Sequence, residues 1–189
     1  MKQFDGTILG FSGREFISDV INVGTGGIPR WGISHVGIVA RGPQGNQLLF
    51  ESTTLDPLPC EIQHKLFNGC QAHKLDDVIA NYDGRIWAYP LTRPLYEFEE
   101  ARLSEYLIST VGTPYDAMGA FRSAGVGFSW FESLLRLEDL HHIFCSAWVA
   151  KALSMIGVLP TDDADRWSPN HLLRRLRFHE LVLHPIRLK

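Results

Sequence analysis

Apolar and polar positions divide this chain into a β-rich first half and a helical second half. Thr7 to Phe11 reads as a short strand, and Glu15 to Val23 as a short helix closed by Gly24, Gly26 and Gly27. Ile33 to Ala40 is rich in β-branched residues and stops at Gly42-Pro43. Gln47 to Ser52 follows as a second strand, and Gly45-Asn46 in the loop between them predicts a hairpin. Further strands are predicted near Ala72 to Leu75 and at Arg85 to Leu91.

Helical spacing then takes over. Glu97 to Val111 carries apolar residues at Phe98, Ala101, Leu107, Ile108 and Val111, has acids in its first turn, and stops at Gly112-Thr113-Pro114. After Gly125 and Gly127, Trp130 to Leu137 predicts one short amphipathic helix. A stronger helix is predicted from about Ser146 to Ile156, with Gly157 as its stop and Pro160 beyond. Ser168-Pro169 has the form of an N-cap followed by proline at the first helical position, and Glu180 to Ile186 reads as a last strand. No repeat or linker divides the chain. Sheet first, helices later and a returning strand predict a single α+β domain over 1–189, an antiparallel sheet packed against helices.

Composition narrows the class. The 189 residues are 45% hydrophobic and 21% charged, with a net charge of −3, which excludes a disordered chain and gives no reason to expect a nucleic-acid partner. Three cysteines are too few, and odd in number, for a disulfide scaffold, so free thiols in a reducing compartment are expected. MKQFDG at the start lacks the apolar stretch of a secretory signal, and no run reaches the ~18 apolar residues of a membrane span. These features predict a soluble protein with no integral membrane segment, cytoplasmic or exported without a Sec-type signal peptide. The oligomeric state stays open. Arg166, Arg174, Arg175, Arg177, Arg187 and Lys189 face only Glu180 in the last stretch, a basic balance that reads as the solvated side of a short helix and strand, docking on phosphate or an anionic membrane being the alternative.

Three side chains then stand out for chemistry. Cys145 is expected at the start of the Ser146 helix, where the helix dipole and unpaired N–H groups favour a thiolate and can receive an oxyanion. A buried structural cysteine is the competing reading of the same residue. His35 lies on the predicted hairpin, sharing a strand face with Gly37 and Val39, and is the candidate base among eight histidines, a satisfied core or edge histidine being the competing reading of the residue taken singly. Glu51, ending Leu48-Leu49-Phe50-Glu51 on the partner strand, is the candidate third member that orients the imidazole. An exposed strand-end carboxylate is its alternative.

Gly112-Thr113-Pro114-Tyr115, Cys145-Ser146 opening a helix, and Gly157-Val158-Leu159-Pro160 after it resemble the cysteine half of NlpC-type peptidases. The order Ser34-His35-Val36-Gly37-Ile38-Val39, then Phe50-Glu51, then Cys145 is the reverse of the usual one and is similar to the circularly permuted, YiiX-like branch of that papain-like superfamily. The resemblance implies a permuted papain-like fold with Cys145 as nucleophile, His35 as base and Glu51 as third member, and Tyr115 as a substrate-lining residue. It implies a thiol hydrolase cleaving an amide bond, in a cell-wall peptide or similar, through an acyl-thioester. Lipid esterase or acyltransferase activity on a lipid-like acyl substrate, or a non-catalytic binding module, are the alternatives.

No cofactor is called for by this chemistry. Cys60, His64, Cys70 and His73 form a C-x3-H-x5-C-x2-H array with zinc-type donors, but the spacing is not that of a standard finger, and an ordinary loop entering a strand is the preferred reading. Phe121 to Phe131, with Phe128 and Trp130, reads as aromatics capping the core beside the cysteine helix, a lid or lipid-facing patch being the alternative. His141 and His142 lie too close along the chain to Cys145 to approach it from an opposing sheet and are read as surface residues.

Overall fold

The computed structural model describes residues 4–13, 32–53, 57–114, 137–160 and 167–189, with only the helical backbone described over 137–144. The expected helix at Glu15 to Val23, Tyr115, the aromatic stretch Phe121 to Phe131 and most of the Trp130 to Leu137 segment lie outside the described residues.

The chain is α+β, an open antiparallel six-stranded sheet with four helices among the described residues. The strands are β1 (Ile8–Gly13), β2 (His35–Arg41), β3 (Gln47–Thr53), β4 (Gly69–Lys74), β5 (Gly84–Tyr89) and β6 (Ile186–Arg187). The helices are α1 (Leu75–Asn81), α2 (Glu97–Thr110), α3 (Leu137–Met155) and α4 (Pro169–Phe178). The sheet order is β4-β3-β2-β1-β5-β6. The hairpin is present as β2–β3, registered Ile38 to Phe50 and Gly37 to Glu51. The predicted last strand shrinks to the two residues of β6 and an isolated bridge between Leu91 and Val182.

Alternation gives the sheet two apolar faces. Val36, Ile38, Leu48, Phe50 and Ala72 point to the layer holding α2, α3 and α4, where they meet Leu103, Leu107, Trp148, Val149, Leu153 and Leu172 in the larger core. Leu9, Phe11, Val39, Leu49 and Ile86 point the other way, to a smaller core with Val78 of α1. Each fully buried Val, Leu, Ile or Phe among them contributes about 1.5–3 kcal/mol. In α2, Glu99 folds back to accept from the Tyr96 N–H at 2.9 Å and from Arg93 at 2.6 and 2.7 Å, satisfying the helix start. In α4, Ser168 accepts from the His171 N–H and Pro169 takes the first position, while Arg174, Arg175 and Arg177 stay exposed. Among the described residues no helix is long and apolar enough to cross a membrane.

Two expectations change. The segment Ala72 to Leu75 is not all strand: β4 ends at Lys74 and Leu75 begins α1, a helix too short for its periodicity to register in the sequence. The cysteine is not at a helix N-terminus: α3 begins at Leu137, so Cys145 lies two turns inside it.

Candidate active site

Three adjacent strands bring three ionisable side chains onto one face. Gly37 pairs with Glu51 across β2–β3, and Leu49 pairs with His73 across β3–β4. With side chains alternating, His35, Glu51 and His73 stand one diagonal step apart, within reach of long side chains. The Glu51 carboxylate uses both oxygens. Oε2 lies 2.7 Å from Nε2 of His35, and Oε1 lies 3.0 Å from Nδ1 of His73. Glu51 is 3% exposed and His73 1%.

His35 is more open, its side chain 19% exposed. It opens β2 instead of lying mid-strand, and so stands at the rim of the sheet. A ring in the middle of the sheet would be screened from α3 by the backbone layer, but at the rim His35 shares a side-chain hydrogen bond with Cys145. With Nε2 committed to Glu51, Nδ1 is the nitrogen left for the sulfur. The Phe11 ring backs the imidazole, centroids 5.3 Å apart and tilted by 44°. The structure thus brings together Cys145, His35 and Glu51, whereas Tyr115 lies outside the described residues.

The electrostatics follow from burial against pairing. Burial alone would lower the pKa of His35, but its electrostatic interaction with Cys145, the hydrogen bond to it, and then Glu51 outweigh burial and hold it at about 10. Burial would raise Glu51, yet hydrogen bonds from His35 and His73, reinforced by their charge, bring it down to about 2. An ionised carboxylate only accepts, so both ring nitrogens facing it carry their protons. Tyr82 joins this neighbourhood through a side-chain hydrogen bond with Ser34. Its phenol is pushed up by burial and then by the Glu51 charge.

Two supports were not singled out by the sequence. Asn170 Oδ1 accepts from the Ile33 N–H at 2.9 Å, fixing the chain just ahead of His35. Ser146, beside Cys145, donates its hydroxyl to the Trp167 carbonyl. The start of α4 is therefore tied both to the strand bearing the base and to the helix bearing the thiol. No local pattern announces Asn170, because its partner lies 137 residues away. His73 was legible as a titratable group, but only within the zinc-type array.

That array does not converge. Cys70 is buried in the helix-covered core, while His73 faces the opposite side with Glu51. Cys60 accepts from the Ala72 N–H through its sulfur at 3.4 Å, and His64 is exposed. Among the described residues no three His, Cys, Asp or Glu side chains gather as metal donors. All three cysteines are free thiols and buried.

No family model and no curated protein matches the chain. Among solved structures, the metalloprotein YiiX from Escherichia coli O157:H7 is similar at a TM-score of 0.50 and 19% identity, over 82% of this chain. The chain spans 66% of the length of that protein. At that identity the likeness is one of fold: the α+β arrangement described above has a YiiX-like structural neighbour.

Proposed function

We propose that the chain is a cysteine hydrolase of circularly permuted papain-like architecture, cleaving an amide bond in a cell-wall peptide or similar substrate through an acyl-thioester. The observation that carries this reading is the continuous line of side chains Cys145–His35–Glu51, in which the imidazole is held between a thiol and a carboxylate. Glu51 favours imidazolium at His35, and imidazolium favours thiolate at Cys145. The Cys145 sulfur attacks the carbonyl carbon. His35 passes its proton to the departing amine nitrogen as the C–N bond breaks, leaving the acyl group on sulfur. His35, now neutral, takes a proton from water; the water oxygen attacks the thioester, and the acid leaves as the thiolate re-forms.

The helix changes one part of this scheme. An interior N–H of an α-helix donates to the carbonyl four residues before it, so the Cys145 N–H is already engaged within α3 and is not an oxyanion donor. Activation of the thiol therefore rests on His35 and not on the helix dipole, which falls off beyond the first turn. The YiiX neighbour is called a metalloprotein. Among the described residues the zinc-type donors do not fit such a centre, since Cys60, His64, Cys70 and His73 are spread over two sheet faces and a loop, and no step is routed through a metal.

A second reading, a binding module that keeps the fold without turnover, is favoured by a specific observation: Cys145 is 0% exposed and sits within the helix. The two readings part on one experiment. Cys145→Ala should abolish hydrolysis across a panel of cell-wall peptides and lipid esters while circular dichroism and Tm stay near the parent values. Full turnover in that variant would exclude a thiol mechanism, and a parent protein inert on the whole panel would favour the binding module.

A further inference from the structure

We propose that His73 is a positioning residue of this site, clamping through Nδ1 the carboxylate that holds His35. The inference rests on the thiol reading of Cys145 above. A carboxylate held at one oxygen still turns about its last side-chain bond, so its grip on a partner is loose; a donor at the second oxygen fixes the plane. At Glu51 both oxygens are committed, at 2.7 Å to His35 and at 3.0 Å to His73. The three residues come from β2, β3 and β4 in fixed register, so the backbone of the sheet sets their spacing.

The surroundings agree with a directed role. His73 lies on β4, the last strand at one edge of the sheet, yet its ring is 1% exposed. An ionisable ring at an edge reaches water easily, and burying it costs free energy unless a strong partner repays it. That partner is the charged oxygen of Glu51, and hydrogen bonds to charged groups are about twice as strong as neutral ones. Because the carboxylate only accepts, the geometry requires the proton of His73 on Nδ1. The influence of His73 on the sulfur passes through Glu51 and His35, which makes it a positioning residue and not a catalytic one.

The test uses the full chain, labelled with 15N, and two variants. His73→Leu removes the donor; His73→Asn places an amide N–H near the position of Nδ1. At pH 6, iodoacetamide labelling of Cys145 should slow about tenfold in His73→Leu and stay within about threefold of the parent in His73→Asn. In the parent, imidazole nitrogen–proton correlations should place the His73 proton on Nδ1. A folded His73→Leu labelled at the parent rate overturns the clamp, as do equal losses in both variants, which would mark simple packing. If His73→Leu does not fold, a His73 proton found on Nε2 in the parent overturns it. A parent Cys145 with no His35-dependent reactivity overturns the thiol reading instead, and the tautomer alone then decides the clamp.

Discussion

Gly37 lies directly opposite Glu51 in the β2–β3 pair, and the absence of a side chain at 37 is what lets the carboxylate stand upright beside it. A Cβ at 37 would fall 2.8 Å from Leu49 Cδ1, 2.9 Å from the Phe50 carbonyl oxygen and 3.2 Å from Glu51 Cβ. The carbonyl belongs to the strand backbone and cannot turn aside. Gly37→Ala should therefore cost about 1–3 kcal/mol and displace Glu51 from His35. Chemical denaturation and the Cys145 labelling rate check both parts, and parent values in each would contradict the account.

Asn170 offers a test remote from the reacting atoms. Its Oδ1 is the acceptor for the N–H of Ile33, a residue 5% exposed. Asn170→Ala leaves that donor without this acceptor, a loss of about 1–3 kcal/mol. The urea midpoint should fall without a change in the slope of the transition. An unmoved midpoint would mean that α4 does not anchor the start of β2.

The titration of His35 has a defined direction. Its pKa is raised from 6.5 to about 10, so the stability it contributes is complete below 6.5 and fades as pH rises through 10. Glu51 is lowered from 4.5 to about 2, so its contribution is complete above 4.5 and fades as pH falls through 2. Together they predict greatest support for folding between those limits, at roughly pH 4.5–6.5. Imidazole resonances followed by NMR should show His35 still charged at pH 8; a midpoint near 6.5 would contradict the ion pair.

Glu51→Gln should be more damaging than the loss of one charge suggests. The two ring N–H groups need two acceptors, and an amide supplies one oxygen and one NH2. One imidazole must shift its proton or lose its partner, at a cost of about 1–3 kcal/mol. Thermal unfolding of Glu51→Gln checks this, and a Tm equal to that of the parent would show the second imidazole to be uninvolved.

The parts of this arrangement that were legible in the sequence are those written locally. Gly45-Asn46 between two β-rich runs fixed the hairpin, and the hairpin fixed His35 and Glu51 on one face. Ser168-Pro169 marked the start of α4 because an N-cap is a property of neighbouring residues. His73 was harder to read, since its proximity along the chain to Cys60, His64 and Cys70 suggested a shared metal. Strand alternation separates it from Cys70: Cys70 and Ala72 turn to the helices while Gln71 and His73 turn to Glu51. The predicted helix start near Ser146 falls inside α3, whose described backbone already begins at Leu137. Asn170 was beyond local reading altogether, because only the tertiary fold brings it to Ile33.

The central claim, that His35 activates Cys145, is tested most directly by limiting iodoacetamide labelling from pH 5 to 9, read by intact mass and peptide mapping. All three thiols are buried, and Cys70 is pushed up to about 11 by its burial, so Cys60 and Cys70 serve as internal controls. The account predicts that Cys145 labels ahead of Cys60 and Cys70 across the range, and that His35→Ala abolishes this preference. A Cys145 that stays as inert as Cys70 across the range, in a folded protein, would contradict it and mark the residue as part of the core.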